Sequence, residues 1–177
     1  MKKRYIFYYS LLFLFVFTRI GVLAQAGTSA SATGHVVAEI VPAFTATETS
    51  QLNFGRFSPG PQGGKIILTP QNTISVLGSV FKGTGIYNAA SFYITGDQDA
   101  AFSVTLPASP VVLKHTLSAK TMFVDGWMSV PAPGIGTGRL QNGYQTVFVG
   151  ATLNVGTLED NPVGIYSGTY EISFDFN

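Results

Sequence analysis

Tyr170, Ile172, Phe174 and Phe176 occupy every second position at the C-terminal end of this chain, and Thr169, Glu171, Ser173 and Asp175 fall between them. Successive side chains of a β-strand point to opposite faces, so the segment specifies a strand with an aromatic face toward a core and a polar face toward water. Register is as constrained as secondary structure, because a one-residue slip would turn all four large side chains outward. The consequence is a sheet protein with a buried face. This strand is either its ordinary last core strand or one that a partner recognises during assembly.

The rest of the chain agrees with a sheet protein. Residues 35–41, 65–69, 91–95, 101–106, 111–115, 146–155 and 169–176 are rich in Val, Ile, Phe, Tyr and Thr and read as strands. Breaks fall at Ser58-Pro59-Gly60-Pro61-Gln62-Gly63-Gly64, at Gly83-Thr84-Gly85, at Gly96-Asp97-Gln98-Asp99 and over residues 131–138. No segment beyond residue 26 combines a sustained 3.6-residue apolar period with capping signals, and Gly and Pro recur too often for a long helix. About seven to nine short strands in one domain imply an all-β, two-sheet antiparallel sandwich. There is no cysteine, so no disulfide holds it together.

The N-terminus carries a different signal. Met1-Lys2-Lys3-Arg4 precedes an almost wholly apolar run from Tyr5 to Phe17, and small residues follow at Val22-Leu23-Ala24-Gln25-Ala26. A charged start, an apolar middle and an A-x-A site are the three parts of a secretory signal peptide. Residues 1–26 are assigned to it, with cleavage after Ala26 or Ala24. The apolar run is too short, and Arg19 too close, for a membrane-spanning helix of about 20 residues. Cleavage removes Lys2, Lys3, Arg4 and Arg19 from the 10 basic residues, leaving 6 against 9 acidic ones and a net charge of −3. A weakly acidic exported domain argues against nucleic acid or an anionic membrane as partner, and no span remains after cleavage.

Residues 27–34, all small or polar, read as a flexible arm, and residues 35–177 as a single sandwich domain. Parity continues across that boundary: Ala30, Ala32, Gly34, Val36, Ala38 and Ile40 share one face of an extended chain. Val36, Ala38 and Ile40 therefore form a second apolar stripe. It pairs either within its own domain or with a neighbouring molecule.

A search for chemistry leaves little. His35 and His115 are the only histidines, lie on different expected strands and suggest no metal set. Asp97-Gln98-Asp99 and Glu159-Asp160-Asn161-Pro162 read as turns, since Asp and Asn bond their local backbone; the twelve-residue calcium-loop pattern is missing. No nucleophile elbow, phosphate loop or His-Glu-x-x-His helix occurs. The chain reads as a non-enzyme without metal or cofactor. Trp127, in Asp125-Gly126-Trp127-Met128, and Tyr144 are the candidate contacts if the domain is instead a self-complete binding module for glycan or protein.

Three segments carry a family resemblance: Leu52-Asn53-Phe54-Gly55, Val149-Gly150-Ala151-Thr152-Leu153-Asn154-Val155, and the ending from Gly164 to Phe176. From about His35 to Asn177 the chain resembles the secreted bacterial family called domain of unknown function 4402. More distantly it resembles spore coat U type subunits of archaic chaperone–usher pili. The second resemblance implies an immunoglobulin-like sandwich lacking one strand, with a groove beside the C-terminal strand. A periplasmic chaperone fills that groove first, and the N-terminal arm of a like or sister subunit then replaces it, by β-strand addition. Phe176 is next to last and Gly164 is fourteenth from the end, as the pilin C-terminal signature has them. The resemblance thus implies an assembly strand comprising Gly164, Tyr166, Tyr170, Ile172, Phe174 and Phe176, and a donor strand with Val36, Ala38 and Ile40. It further implies a pilin-like structural or adhesive role in the periplasm, at the outer surface or in an extracellular fibre. At roughly 0.8 kcal/mol per buried methylene, an arm with Ala and Gly at inward positions binds its groove less strongly than a Val- and Leu-rich one.

Overall fold

A computed structural model describes residue 27 and residues 29–177; the export signal assigned to residues 1–26 lies outside the described residues. Residues Met1–Glu39 and Ile40–Asn177 form separate units. In the first, the described residues carry no strand and are exposed.

The second unit is all-β among its described residues. Its eleven strands are β1 (Thr45–Ser50), β2 (Phe57–Leu68), β3 (Ile74–Lys82), β4 (Ala90–Thr95), β5 (Ala101–Thr105), β6 (Val111–His115), β7 (Thr121–Val130), β8 (Gly134–Arg139), β9 (Tyr144–Val155), β10 (Tyr166–Ser167) and β11 (Ser173–Phe176). An eight-stranded sheet follows the path β1-β4-β9-β7-β6-β10, with β2 paired to both β3 and β9; a three-stranded sheet has the order β11-β5-β8. Every pairing is antiparallel, and the two sheets form a sandwich.

β9 organises the core. Its first half pairs with β4, its second half with β2, and its other edge with β7. Val147, Val149, Ala151, Leu153 and Val155 share the inward parity and are all buried. Tyr144, Thr146 and Phe148 share the other parity and face out. Two apolar clusters rest on this strand. One gathers Ile66, Leu68, Met122, Val124 and Leu153 with Phe54; the other gathers Ile94, Phe102, Val104, Leu140 and Val147 with the aromatics of the C-terminal segment.

Several expected boundaries are corrected. Residues 35–41 form no strand, and the first strand is β1, in Thr-Ala-Thr-Glu-Thr-Ser. Three Thr residues favour a strand locally, but their alternation with Ala46 and Glu48 gives no apolar stripe, so sequence pattern alone misses it. The Pro/Gly run at 58–64 is a bulge inside β2 rather than a break: register shifts between Pro59 and Gly63 against β3. Gly63 has φ +65°, and a Cβ there would overlap Val155 O. The expected break over 131–138 contains most of β8, and β3 and β7 are further strands beyond those read from pattern. The C-terminal strand is shorter than expected, since only residues 173–176 of 169–176 join a ladder.

Candidate functional site

The last fourteen residues cross from one sheet to the other. Tyr166 and Ser167 pair with His115 and Lys114 at the β6 edge of the larger sheet. Residues 168–172 then join no ladder, and Ser173, Phe174, Asp175 and Phe176 pair with Thr105, Val104, Ser103 and Phe102 of β5. On its other side β11 has no neighbouring strand among the described residues. Asn177 N–H donates to Ala101 O at 3.1 Å. By antiparallel alternation Ser173 and Asp175 also turn their backbone groups toward β5, while Phe174 and Phe176 turn theirs to the open edge. An unpaired edge is a template for another strand.

The aromatic stripe runs along this same segment. Tyr170, Ile172 and Phe174 are half-buried against the second cluster. Phe174 packs on Phe92 at 5.6 Å and Phe102 at 6.3 Å, and Tyr170 on Phe92 at 6.5 Å between ring centroids. Phe176 is 52% exposed and meets Phe44 at 5.9 Å. Sequence reasoning missed Phe44 and Phe92 as partners of the stripe. The parity of Phe92 with buried Ile94 on β4 was the available signal.

Gly164 and Tyr166 have packing roles. A Cβ at Gly164 would overlap the His115 imidazole. Leu117 N–H donates to His115 Nδ1 at 3.1 Å, so Nδ1 accepts and the ring proton sits on Nε2, which donates to Val163 O at 3.2 Å. The Tyr166 ring lies edge-on to His115 at 4.8 Å, and its hydroxyl donates to Pro162 O at 3.0 Å. His115 is thus the post to which the C-terminal segment is tied.

Trp127 belongs to the core rather than to a surface platform. Its ring stands 4.7 Å from Tyr170 and packs against both clusters. Trp127 Nε1 and the Tyr170 hydroxyl are buried without a hydrogen-bond partner among the described residues. An unmet buried donor costs about 1–3 kcal/mol. Burial first, and the Glu48 carboxylate second, push the Tyr170 hydroxyl well above the ordinary tyrosine range.

A pH prediction follows with a definite sign. The unfolded chain ionises tyrosine near pH 10 (about the model-peptide value), whereas folded Tyr170 holds its proton longer. Its contribution is complete below about pH 10 and is lost as pH rises through the folded value. Tyr170→Phe should therefore leave neutral-pH stability unchanged or slightly raised, and should flatten the loss of stability above pH 10. Denaturant midpoints measured from pH 8 to 11.5 test this. Burial also raises Tyr166, so some slope remains in the variant.

The other candidate residues are dispersed. Val36 and Ile40 are 96% and 98% exposed, and Ala38 is exposed between them. Tyr144 lies on the outer face of the larger sheet, stacked on Tyr93 at 5.7 Å. The Asp97–Asp99 turn is closed by Ala100 N–H donating to Asp97 O at 3.2 Å and tied down by Asp99 N–H donating to Leu140 O at 2.8 Å, and the 157–161 turn is closed by Thr157 Oγ1 donating to Asp160 at 2.8 Å. Among the described residues no three His, Asp or Glu side chains cluster as metal ligands.

A family model matches residues 44–176, from the residue before β1 to the end of β11. The chain belongs to the family described as domain of unknown function (DUF4402). The DUF4402 match covers β1 to β11 and starts after Val36, Ala38 and Ile40, nine residues later than the resemblance to this family implied. No curated protein and no solved structure matches the chain.

Proposed function

We propose that this protein is an exported, non-enzymatic surface subunit, pilin-like in its assembly, in which the open edge of β11 receives a strand from a neighbouring copy. The observation that carries this reading is the unpaired edge of β11 at the end of a segment whose aromatic stripe is only half-buried. An added strand would bond the outward backbone groups of Phe174 and Phe176 and cover apolar surface at once. The donor is the stripe of Val36, Ala38 and Ile40, exposed and free of any ladder. A periplasmic chaperone holds the same edge before assembly, which keeps an aggregation-prone strand covered.

The test uses residues 42–177, which lack the donor, and a synthetic peptide spanning residues 27–41. A ligand that binds only the folded state stabilises it by about 2.7 kcal/mol at a hundredfold excess over Kd. The peptide should therefore raise the thermal midpoint in a concentration-dependent way, and a peptide with Val36 and Ile40 both changed to Asp should not. No shift at millimolar peptide would sink the reading.

A further inference from the structure

The outer face of the larger sheet carries a groove of about 460 Å³ that neither the aromatic stripe nor the donor arm uses. Its floor is Phe148 on β9 and Val130 on β7, register partners that are 43% and 44% exposed. The polar residues Ser50, Gln71, Asn72 and Asn88 also line it. This volume lies within the range of about 300–1,000 Å³ found for small-molecule sites, and an apolar floor with a few fixed polar groups is their usual construction.

The lining is held in place before any ligand arrives. Asn72 sits at φ +61° in the turn between β2 and β3, which Thr69 N–H closes by donating to Thr73 O at 2.9 Å. The Asn72 Oδ1 accepts from Ala89 N–H at 2.9 Å, which aims the side chain and leaves its two amide hydrogens available. The Asn88 backbone is fixed by two bonds of 2.8 Å with Asn53.

Charge decides the ligand class. None of the lining residues is ionisable, so a charged ligand would lose its hydration without gaining a counter-charge. Side-chain amides offer a donor and an acceptor side by side, which suits neighbouring hydroxyls, and an exposed aromatic ring suits the apolar face of a sugar. The same chemistry continues along the sheet. Beyond Phe148 the next outward row places Tyr93 opposite Thr146 and Thr47, and the row after it places Tyr144 opposite Thr95, which is itself opposite Thr45. Outward rows are roughly 6.6 Å apart along a strand. Three successive rows thus each hold one aromatic ring beside hydroxyls, with no charge among them.

We propose that the groove and this strip bind an extended neutral polysaccharide chain, Phe148 stacking on a sugar ring and the Asn72 and Asn88 amides bonding its hydroxyls. The site is independent of strand addition at β11. Native electrophoresis of the mature chain through gels containing galactomannan, xyloglucan, dextran or hydroxyethylcellulose tests it, with anionic alginate as the contrast. Retardation is expected in at least one neutral gel and not in alginate. Phe148→Ala should weaken apparent affinity at least tenfold in a chain that stays folded at the assay temperature, Phe148→Tyr should keep it, and Tyr144→Ala should weaken it less. The proposal is overturned by free migration in every neutral gel, by equal retardation in alginate, or by retention that survives Phe148→Ala. It is equally overturned if Phe148→Ala changes oligomer size instead, which would assign the face to contacts between protein molecules.

Discussion

Val36→Asp combined with Ile40→Asp is expected to leave the chain folded and to abolish its assembly. Both side chains are almost fully exposed in the single chain, so the changes should alter monomer stability by no more than about 0.5 kcal/mol. If the proposed strand donation holds, the same positions face an apolar groove in the assembly, where an unpaired carboxylate is far costlier than a neutral polar group. The effect is therefore all-or-none on one observable and negligible on the other. Light scattering of the mature wild type after removal of any chaperone should show a concentration-dependent ladder of sizes, and the double variant only monomer. Equal size distributions at matched concentration would refute donation by residues 36–40. The sandwich would then be a self-complete module whose β11 edge stays bare.

Gly164→Ala should destabilise the fold by about 1–3 kcal/mol, the usual cost of forcing extra volume into a packed site. Nothing flexible can yield there, because the new Cβ meets the His115 ring, and that ring is fixed by bonds to Leu117 N–H, to Val163 O and to Ser118 Oγ at 2.9 Å. Denaturant unfolding measures the loss. A cycle with His115→Ala separates two roles for the glycine. If Gly164 is needed only for packing on His115, the double variant should lose less than the sum of the singles, with a coupling above 0.5 kcal/mol. Additive losses would mean that the glycine answers to something other than His115. The placement of Gly164 against His115 also gives this glycine a packing role within its own domain. It lets the chain cross β6 closely before entering the second sheet.

The parts of this fold legible in the sequence were runs rich in β-branched and aromatic residues, the clearest with apolar side chains at every second position. β9, β5 and the stripe from Tyr170 to Phe176 announced themselves through parity, because a two-residue repeat in side-chain direction leaves a two-residue repeat in hydrophobicity. β1 escaped because its outward face is threonine and its other face, Ala46 and Glu48, is exposed as well. β8, in Gly-Ile-Gly-Thr-Gly-Arg, escaped because glycines read as punctuation; Gly138 is there because Phe102 occupies the space its side chain would need. The bulge in β2 escaped for the same reason. The apolar alternation at 35–41 forms no strand within the single chain, since alternation shows that a segment could be a strand without supplying the strand it pairs with.

Composition and order of residues determined the sheet class, the reliance on packing without disulfides and the inward identity of Tyr170, Ile172 and Phe174. These follow from local rules on side-chain direction and from the residue types present. Tertiary structure alone decided that the terminal strand is an edge, that residues 168–172 bridge two sheets without a ladder and that Trp127 stacks on Tyr170 inside the core. It alone brought Asn72, Asn88 and Phe148 to one groove from three distant segments. The physical reason is common to all four. Which strands become neighbours depends on long-range closure of the whole sandwich, whereas parity acts over two residues and carries no information about partners.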